Sequence, residues 1–216
     1  MATIVDQHLG WRATFWLVFA LTVICSLIVS ALVPKSRHQQ TISLGAELAE
    51  FRTPHLWAAY TTSALIIGAT FAAFAYFAPI LTEISGFTPA AIPWLLGVYG
   101  MANVIGNTIV GRYADHYTIP IMMLGLITLS APLILLALLT QYAALSVILF
   151  IVISLVGVPM NPAMITRVMK TATHPGPLVN TVHTSVINIG LEVGSWVGGL
   201  GISAGHRSGS ASPLPP

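Results

Sequence analysis

The stretch PIMMLGLITLSAPLILLALLT, residues 120–140, decides the fold class, because it holds no charged side chain along its whole length. The hydrocarbon core of a bilayer is about 30 Å thick, and about 20 apolar residues in a helix cross it. A segment in lipid must satisfy its own backbone hydrogen bonds, which a helix does internally. The stretch therefore predicts a transmembrane helix.

Five further blocks of the chain are similarly apolar, and only 6% of all residues are charged. A hydrophobic share of 56% exceeds the usual share of a soluble domain. We therefore predict an all-α polytopic membrane protein with six transmembrane helices. The predicted spans are Phe15–Val33, Leu56–Leu81, Pro93–Val110, Pro120–Thr140, Ala143–Ile165 and Asn180–Ser203.

Basic residues alternate between the loops that join the predicted spans. The first, third and fifth loops carry Lys35, Arg37, Arg52, Arg112, Arg167 and Lys170, whereas the second and fourth carry none. Lys and Arg are enriched in cytoplasmic loops. The pattern predicts that the odd-numbered loops are cytoplasmic and that both chain ends are outside. In the first loop, the amphipathic piece Leu44–Phe51 is either a helix at the membrane surface or a solvated linker.

Motifs typical of soluble enzymes do not occur in the sequence. The chain has no HExxH, no GxSxG, no Gly-rich phosphate loop and no paired-cysteine metal site. The seven His are scattered, and the single Cys25 lies in mid-span, where it forms no disulfide within the chain. We predict that the protein is not an enzyme and has no catalytic residue, no metal, no cofactor and no nucleic-acid partner.

The last predicted span has two contrasting faces. One face repeats a small residue every four positions, at Gly190, Gly194 and Gly198, which predicts close helix packing. The opposite face carries the candidates for a polar cavity, Thr184, Asn188 and Glu192. Two alternatives stay open on that face. Its hydroxyls bond either to a polar path or to their own helix carbonyls. Glu192 either binds protons or faces substrate, or it is a hydrogen-bonded packing residue or lies near the interface.

Four segments of the chain resemble one transporter family. They are LGWRATFWLV at Leu9–Val18, YFAPILTEISGFTP at Tyr76–Pro89, GRYADHY at Gly111–Tyr117 and INIGLEVGSWVGG at Ile187–Gly199. GRYADHY resembles the signature cytoplasmic loop of the major facilitator superfamily. In order and spacing the four segments resemble bacterial twelve-span drug:proton antiporters and sugar-efflux permeases of the arabinose-efflux type.

The resemblance implies a place for each segment in a twelve-helix bundle. Residues 1–33 resemble an outer loop and family helix six, 34–55 the central cytoplasmic loop, and 56–203 helices seven to eleven. Residues 204–216 are Gly-, Ser- and Pro-rich and predict a disordered tail where a twelfth span should follow. The chain is therefore expected to be a fragment without family helices one to five and twelve. The glycine face would then pack against the absent twelfth helix.

The resemblance also implies a function and a location. The expected function is proton-coupled efflux of a small molecule, such as a drug or sugar, across the bacterial inner membrane. The alternative is a structural or regulatory half-bundle that needs a partner chain and does not transport alone. Expected partners are membrane lipid, a small-molecule substrate, protons, and the missing helices or another copy of the chain. By position, Gly111 would allow a tight turn, and Arg112 and Asp115 would form a charged cytoplasmic latch. The family usually has a small or neutral residue where Glu192 stands.

Overall fold

A computed structural model describes residues 11–32, 44–139 and 141–209, and in these residues all regular structure is helical. The all-α prediction is therefore confirmed. The main helices are α1 Trp11–Leu32, α2 Leu44–Glu50, α3 Pro54–Phe74, α4 Ile92–Tyr113, α5 Thr118–Leu139, α6 Ala143–Val156, α7 Asn161–Thr171 and α8 Pro177–Gly209.

Among the described residues, five helical stretches are long and apolar enough to cross a membrane. They are Phe15–Leu32, Pro54–Phe74, Pro89–Tyr113, Thr118–Leu139 and Ala143–Thr171. The sixth predicted span forms a helix within α8, but it does not belong to this apolar group. Its polar side chains, including Asn188 and Glu192, lower the hydropathy of that helix.

The end of α8 differs from the sequence prediction. The helix continues to Gly209, past Ser203, so the predicted tail is helical from 204 to 209. Residues 210–216 lie outside the described part of the chain. Ser and Gly are weak helix formers, but adding fewer than two turns to a helix that is already nucleated costs less than starting a new one.

The chain divides into two compact units, residues 1–41 and residues 42–216. The first contains α1, whose side chains from Phe15 to Leu32 are all exposed. Within α1, Trp16 and Phe19 make an edge-to-face ring contact with centroids 5.8 Å apart. All helices from α2 onward belong to the second unit.

Proline and glycine interrupt the helices of the second unit at the positions that the sequence predicted. Gly86 has a φ of 77°, a left-handed conformation that favours glycine, and lies in the turn before α4. The fifth predicted span breaks as expected, because Pro159 and Pro162 cannot continue an α-helix from the preceding turn. There α6 ends at Val156, a 3₁₀ turn covers Val158–Met160, and α7 begins at Asn161.

The core of the second unit lies between α3, α4, α5, α6 and α7. Helix α5 shows how the packing divides each helix into two faces. Met122, Leu129 and Leu136 are buried, while Leu124 and Leu138 are more than two-thirds exposed. So much exposed apolar surface is typical of a membrane protein rather than a soluble one. A second cluster, which includes Leu56, Tyr60, Val168 and Val179, joins the start of α3 to α7 and α8.

Candidate functional site

Helices α3 and α8 form the most extensive helix contact in the second unit, and small residues line it. A Cβ added at Gly190 would lie 2.4 Å from the Ala64 carbonyl oxygen, and one at Gly194 would lie 2.0 Å from that of Gly68. At Gly198, an added Cβ would lie 2.6 Å from the carbonyl oxygen of Ala72. Each glycine thus allows direct backbone contact, as the spacing predicted.

The partner of this glycine face corrects an expectation. The absent twelfth family helix was expected to cover it, but α3 covers it within the described residues. The three pairs keep one offset along the chain, so α3 and α8 run in the same direction. Ala64, Gly68 and Ala72 recur every four residues on α3 and match the three glycines of α8. We call these six residues the small-residue seam.

The polar face of α8 lies away from the seam. Thr184, Asn188 and Glu192 are all exposed on the surface of the described bundle. They are one helical turn apart in succession, so they form a single polar stripe along α8. Glu192 is not packed inside this bundle, which leaves it available to solvent, substrate or another polypeptide.

The hydroxyls near this stripe bond to their own helix. Thr181 donates to the Pro177 carbonyl at 2.9 Å, Thr184 to that of Asn180 at 3.0 Å, and Ser185 to that of Thr181 at 3.1 Å. These bonds are the second of the two alternatives that the sequence left open. The stripe therefore offers the Asn188 amide and the Glu192 carboxylate as its available polar groups.

The signature-like loop between α4 and α5 is held by contacts to α7. The Asp115 carboxylate accepts a hydrogen bond from the Thr166 hydroxyl at 3.2 Å. Lys170 Nζ donates to the Asp115 carbonyl oxygen at 2.5 Å and to the Thr118 hydroxyl at 3.2 Å. The loop is thus tied to the end of the broken fifth span, which makes Thr166 and Lys170 the residues that hold it.

Two of the expected latch roles are not seen. Gly111 lies inside α4 and does not have a positive φ, so it makes no tight turn. A Cβ added at Gly111 would meet no atom within 4 Å. Within the described residues, Arg112 is exposed and the recorded salt bridge joins His174 to Glu50, not Arg112 to Asp115.

Helix α2 brings two buried carboxylates to the loop between α7 and α8. Glu47 Oε2 accepts a hydrogen bond from the Leu178 N–H at 2.8 Å, in the first turn of α8. Glu50 accepts from the N–H groups of Thr173 at 3.0 Å and His174 at 2.8 Å. The two side chains are 6% and 5% exposed. Residues 44–50 are thus helical, as one of the two alternatives for this segment required.

Burial and hydrogen bonding act in opposite directions on the pKa of Glu50. Burial alone would raise the pKa of its carboxyl, but hydrogen bonds from the backbone of Thr173 and His174 outweigh that effect. The His174 ring, with Nδ1 at 3.1 Å from Oε1, lowers it further. The net pKa of Glu50 is lowered, so it stays ionised as it anchors the loop.

Sequence reasoning did not identify this carboxylate clamp, made by Glu47 and Glu50. The available signal was weak: two acids three residues apart on one helix face, and a distant HPGP turn with free N–H groups at a helix start. Sequence gives no reason to pair segments that lie more than 120 residues apart.

The sequence also did not predict that one histidine is buried between helices. His183 on α8 is 1% exposed and stacks on Tyr60 of α3, with ring centroids 5.8 Å apart. Tyr60 donates a hydrogen bond to the Val179 carbonyl oxygen at 2.8 Å. Both rings thus help to join α3 and α8 next to the seam. Among the described residues, no group of three or more His, Cys, Asp or Glu could hold a metal ion.

Comparison with known proteins places this helical bundle in a family. The sequence profile of the Major Facilitator Superfamily matches residues 1–199. The chain belongs to the major facilitator superfamily. This superfamily is one of transporters, not of enzymes, and membership makes the chain a multi-pass protein of the inner membrane.

Curated relatives within the superfamily carry transport or resistance names. The chain is 29% identical to a chloramphenicol resistance protein of Streptomyces lividans, over 98% of the chain and 55% of the relative. It is 28% identical to the inner membrane transport protein YdhP of Escherichia coli, over 94% and 52%. It is 24% identical to a probable sugar efflux transporter of Helicobacter acinonychis, over 93% and 51%. The chain thus spans about half the length of the curated relatives it matches.

Proposed function

We propose that this chain forms part of a superfamily transporter that exports a small molecule, with the polar stripe of α8 facing the transport path. The observation that carries the proposal is the contrast between the two faces of α8. Its glycine face packs against α3 in the small-residue seam, while Asn188 and Glu192 remain exposed. A carboxylate within a membrane costs several kcal/mol unless it meets a cavity or a partner.

Helix geometry supports a path rather than a lipid contact. Transporters with repeated halves place their substrate sites near the bilayer midplane, between the halves. Glu192 lies near the middle of α8, four turns beyond the carboxylate clamp that marks one end of the helix. In this proposal Glu192 lies at mid-membrane depth, on a surface that a second set of helices would cover.

The names of the relatives support a substrate class. One is named for chloramphenicol resistance and another for sugar efflux. A stripe with one amide and one carboxylate suits a small polar organic molecule, because each group bonds to hydroxyl or amide groups. We propose drug-like or sugar-like substrates, with Glu192 as a proton-binding or substrate-facing acid and protons as the coupling ion.

A second function has one observation in its favour. The chain matches only about half of each relative, and alternating access needs two repeats that move about a shared site. The alternative is therefore a structural or regulatory half-bundle that works only with a partner chain. In that function the stripe is an interface and transports nothing by itself.

Reconstitution in liposomes separates these functions. Purified residues 1–216 are assayed alone and together with the complementary half of a related transporter, under an imposed pH gradient, with chloramphenicol and arabinose as probes. We expect no transport by the chain alone and protonophore-sensitive transport with the complement. Transport by the chain alone would indicate a self-assembling half-transporter. If transport with the complementary half were insensitive to a protonophore, proton coupling would be rejected. No transport in either case would favour the structural function.

A further inference from the structure

A basic cavity of about 310 Å³ lies between the start of α5 and the end of α7. Its lining includes the side chains of His116, Arg167 and Lys170 and the hydroxyl residues Thr118 and Thr171. No acidic residue of the described chain lines it. The cavity therefore offers several hydrogen-bond donors and at least two positive charges to a ligand.

The charges in this cavity are not neutralised within the described residues. Lys170 Nζ bonds to two neutral acceptors, the Asp115 carbonyl oxygen at 2.5 Å and the Thr118 hydroxyl at 3.2 Å. An ammonium has three protons, so one remains for a ligand. The recorded salt bridge of the described residues joins His174 to Glu50, and so it involves neither Arg167 nor Lys170. The Asp115 carboxylate bonds to Thr166 and is not part of the lining.

The position of the cavity indicates the source of its ligand. It lies where two apolar stretches end, at the start of Thr118–Leu139 and the end of Ala143–Thr171. From the length and composition of these stretches, we expect that level to be the boundary between the hydrocarbon and the water. Two large side chains here, Tyr117 next to the cavity and Ile119 in its lining, are 58% and 53% exposed. Tyrosine is enriched at this depth in membrane proteins.

We propose that this cavity binds the phosphate group of an anionic phospholipid in the cytoplasmic leaflet. Arg167 presents a forked donor set that matches phosphate oxygens, and Lys170 adds a point charge. The first-turn N–H groups of α5 add a weaker attraction for an anion. Exposed Ile119 and the apolar surface of α5 beyond it would contact the acyl chains. Basic pockets between cytoplasmic helix ends are suited to anionic lipid headgroups.

The same lipid would stabilise the loop that Lys170 holds. Lys170 ties the loop at Asp115 to α7, and a phosphate in the cavity would hold the Lys170 ammonium in place. A bound anionic lipid is thus expected to make the α4–α5 loop more rigid. This role concerns binding, and it does not require the chain to transport anything.

Native mass spectrometry of the purified chain tests the site directly. The probes are phosphatidylglycerol, phosphatidylcholine and soluble glycerol 3-phosphate. We expect phosphatidylglycerol to bind at least tenfold more tightly than phosphatidylcholine. Arg167→Gln should weaken its binding about fivefold, because one basic residue at a membrane surface contributes about 1 kcal/mol. Arg167→Lys should weaken phosphatidylglycerol binding less. His116→Gln changes an exposed residue of the same cavity lining and should also weaken this binding.

The matched control is Arg52→Gln, which removes an exposed basic residue outside the cavity. The proposal predicts no change for this variant. Equal losses for Arg52→Gln and Arg167→Gln would show general electrostatic attraction and overturn the site. Glycerol 3-phosphate binding as tightly as phosphatidylglycerol would also overturn it, in favour of a soluble anion. Unchanged binding in both Arg167→Gln and His116→Gln would place the lipid elsewhere.

Discussion

Gly194 packs directly on the backbone of Gly68, so that a Cβ added to Gly194 would lie 2.0 Å from the Gly68 carbonyl oxygen. The obstacle is backbone, which cannot rotate away as a side chain can. The two helices that meet here also carry the stack of Tyr60 on His183, and the first turn of α8 bonds to the carboxylate clamp of α2. Their close approach is therefore a condition for the other contacts between α3 and α8.

We expect Gly194→Ala to destabilise the bundle by about 1–3 kcal/mol, the usual cost of adding a methyl group where no space exists. The matched control is Gly100→Ala on α4, where an added Cβ meets nothing within 4 Å. That control should be neutral or gain up to about 1 kcal/mol from better helix propensity. The free energy of unfolding in mixed micelles is the measurement. Equal effects of the two substitutions would contradict the seam.

The carboxylate clamp should make stability depend on pH. Because hydrogen bonds lower the pKa of Glu50 in the folded chain, its contribution is fully present above the unfolded value of 4.5. That contribution is lost as the pH falls through the lower, folded-state pKa. We therefore expect the thermal stability of the chain to fall below about pH 5, and Glu50→Gln to remove part of that fall.

At neutral pH, Glu50→Gln should cost about 1–3 kcal/mol, because Gln removes the charged acceptor of the Thr173 and His174 N–H groups and leaves one of them without its bond. Glu192→Gln is the control, since Glu192 is exposed and lies outside the clamp. Its melting curve should keep the pH dependence of the unchanged protein. If Glu50→Gln and the unchanged protein lost stability in parallel on acidification, Glu50 would not be the group that titrates.

Membrane topology is predicted from the loop charges, and cysteine labelling tests it. In a Cys25→Ser background, Thr88→Cys should react with an impermeant reagent from outside, and His116→Cys only after the membrane is opened. Both positions are exposed, whereas Ser85 in the same outer turn is only 9% exposed and is a poorer reporter. Labelling with the sides exchanged would reverse the topology and move the lipid site to the outer leaflet.

In a complete transporter, Glu192→Gln should change the pH dependence of transport. The reason is that Glu192 is the ionisable residue of the polar stripe and has no packing role within the described bundle. Asn188→Gln is the control, because it alters the same stripe without removing an ionisable group. Transport rates across a series of pH values provide the measurement. An unchanged profile for Glu192→Gln at normal expression would exclude it as a proton-binding residue.

Some features of this protein follow from local sequence alone. The apolar stretches gave the transmembrane helices, since 20 apolar residues in lipid have few alternatives to a helix. Pro159 and Pro162 gave the break between α6 and α7, and Gly86 gave the turn before α4. The glycine spacing on α8 indicated a packing face. Each of these depends on neighbours within a few turns of one helix.

Other features depend on which segments meet, and only the tertiary structure decided those. The glycines of α8 could have packed against any small-residue face, and the match with Ala64, Gly68 and Ala72 depends on two helices running in parallel. Glu47 and Glu50 bond to backbone N–H groups, which every residue type except proline carries, so no sequence motif marks their partners. Likewise, Asp115 bonds to Thr166 instead of Arg112, because the broken fifth span places Thr166 within reach of its carboxylate.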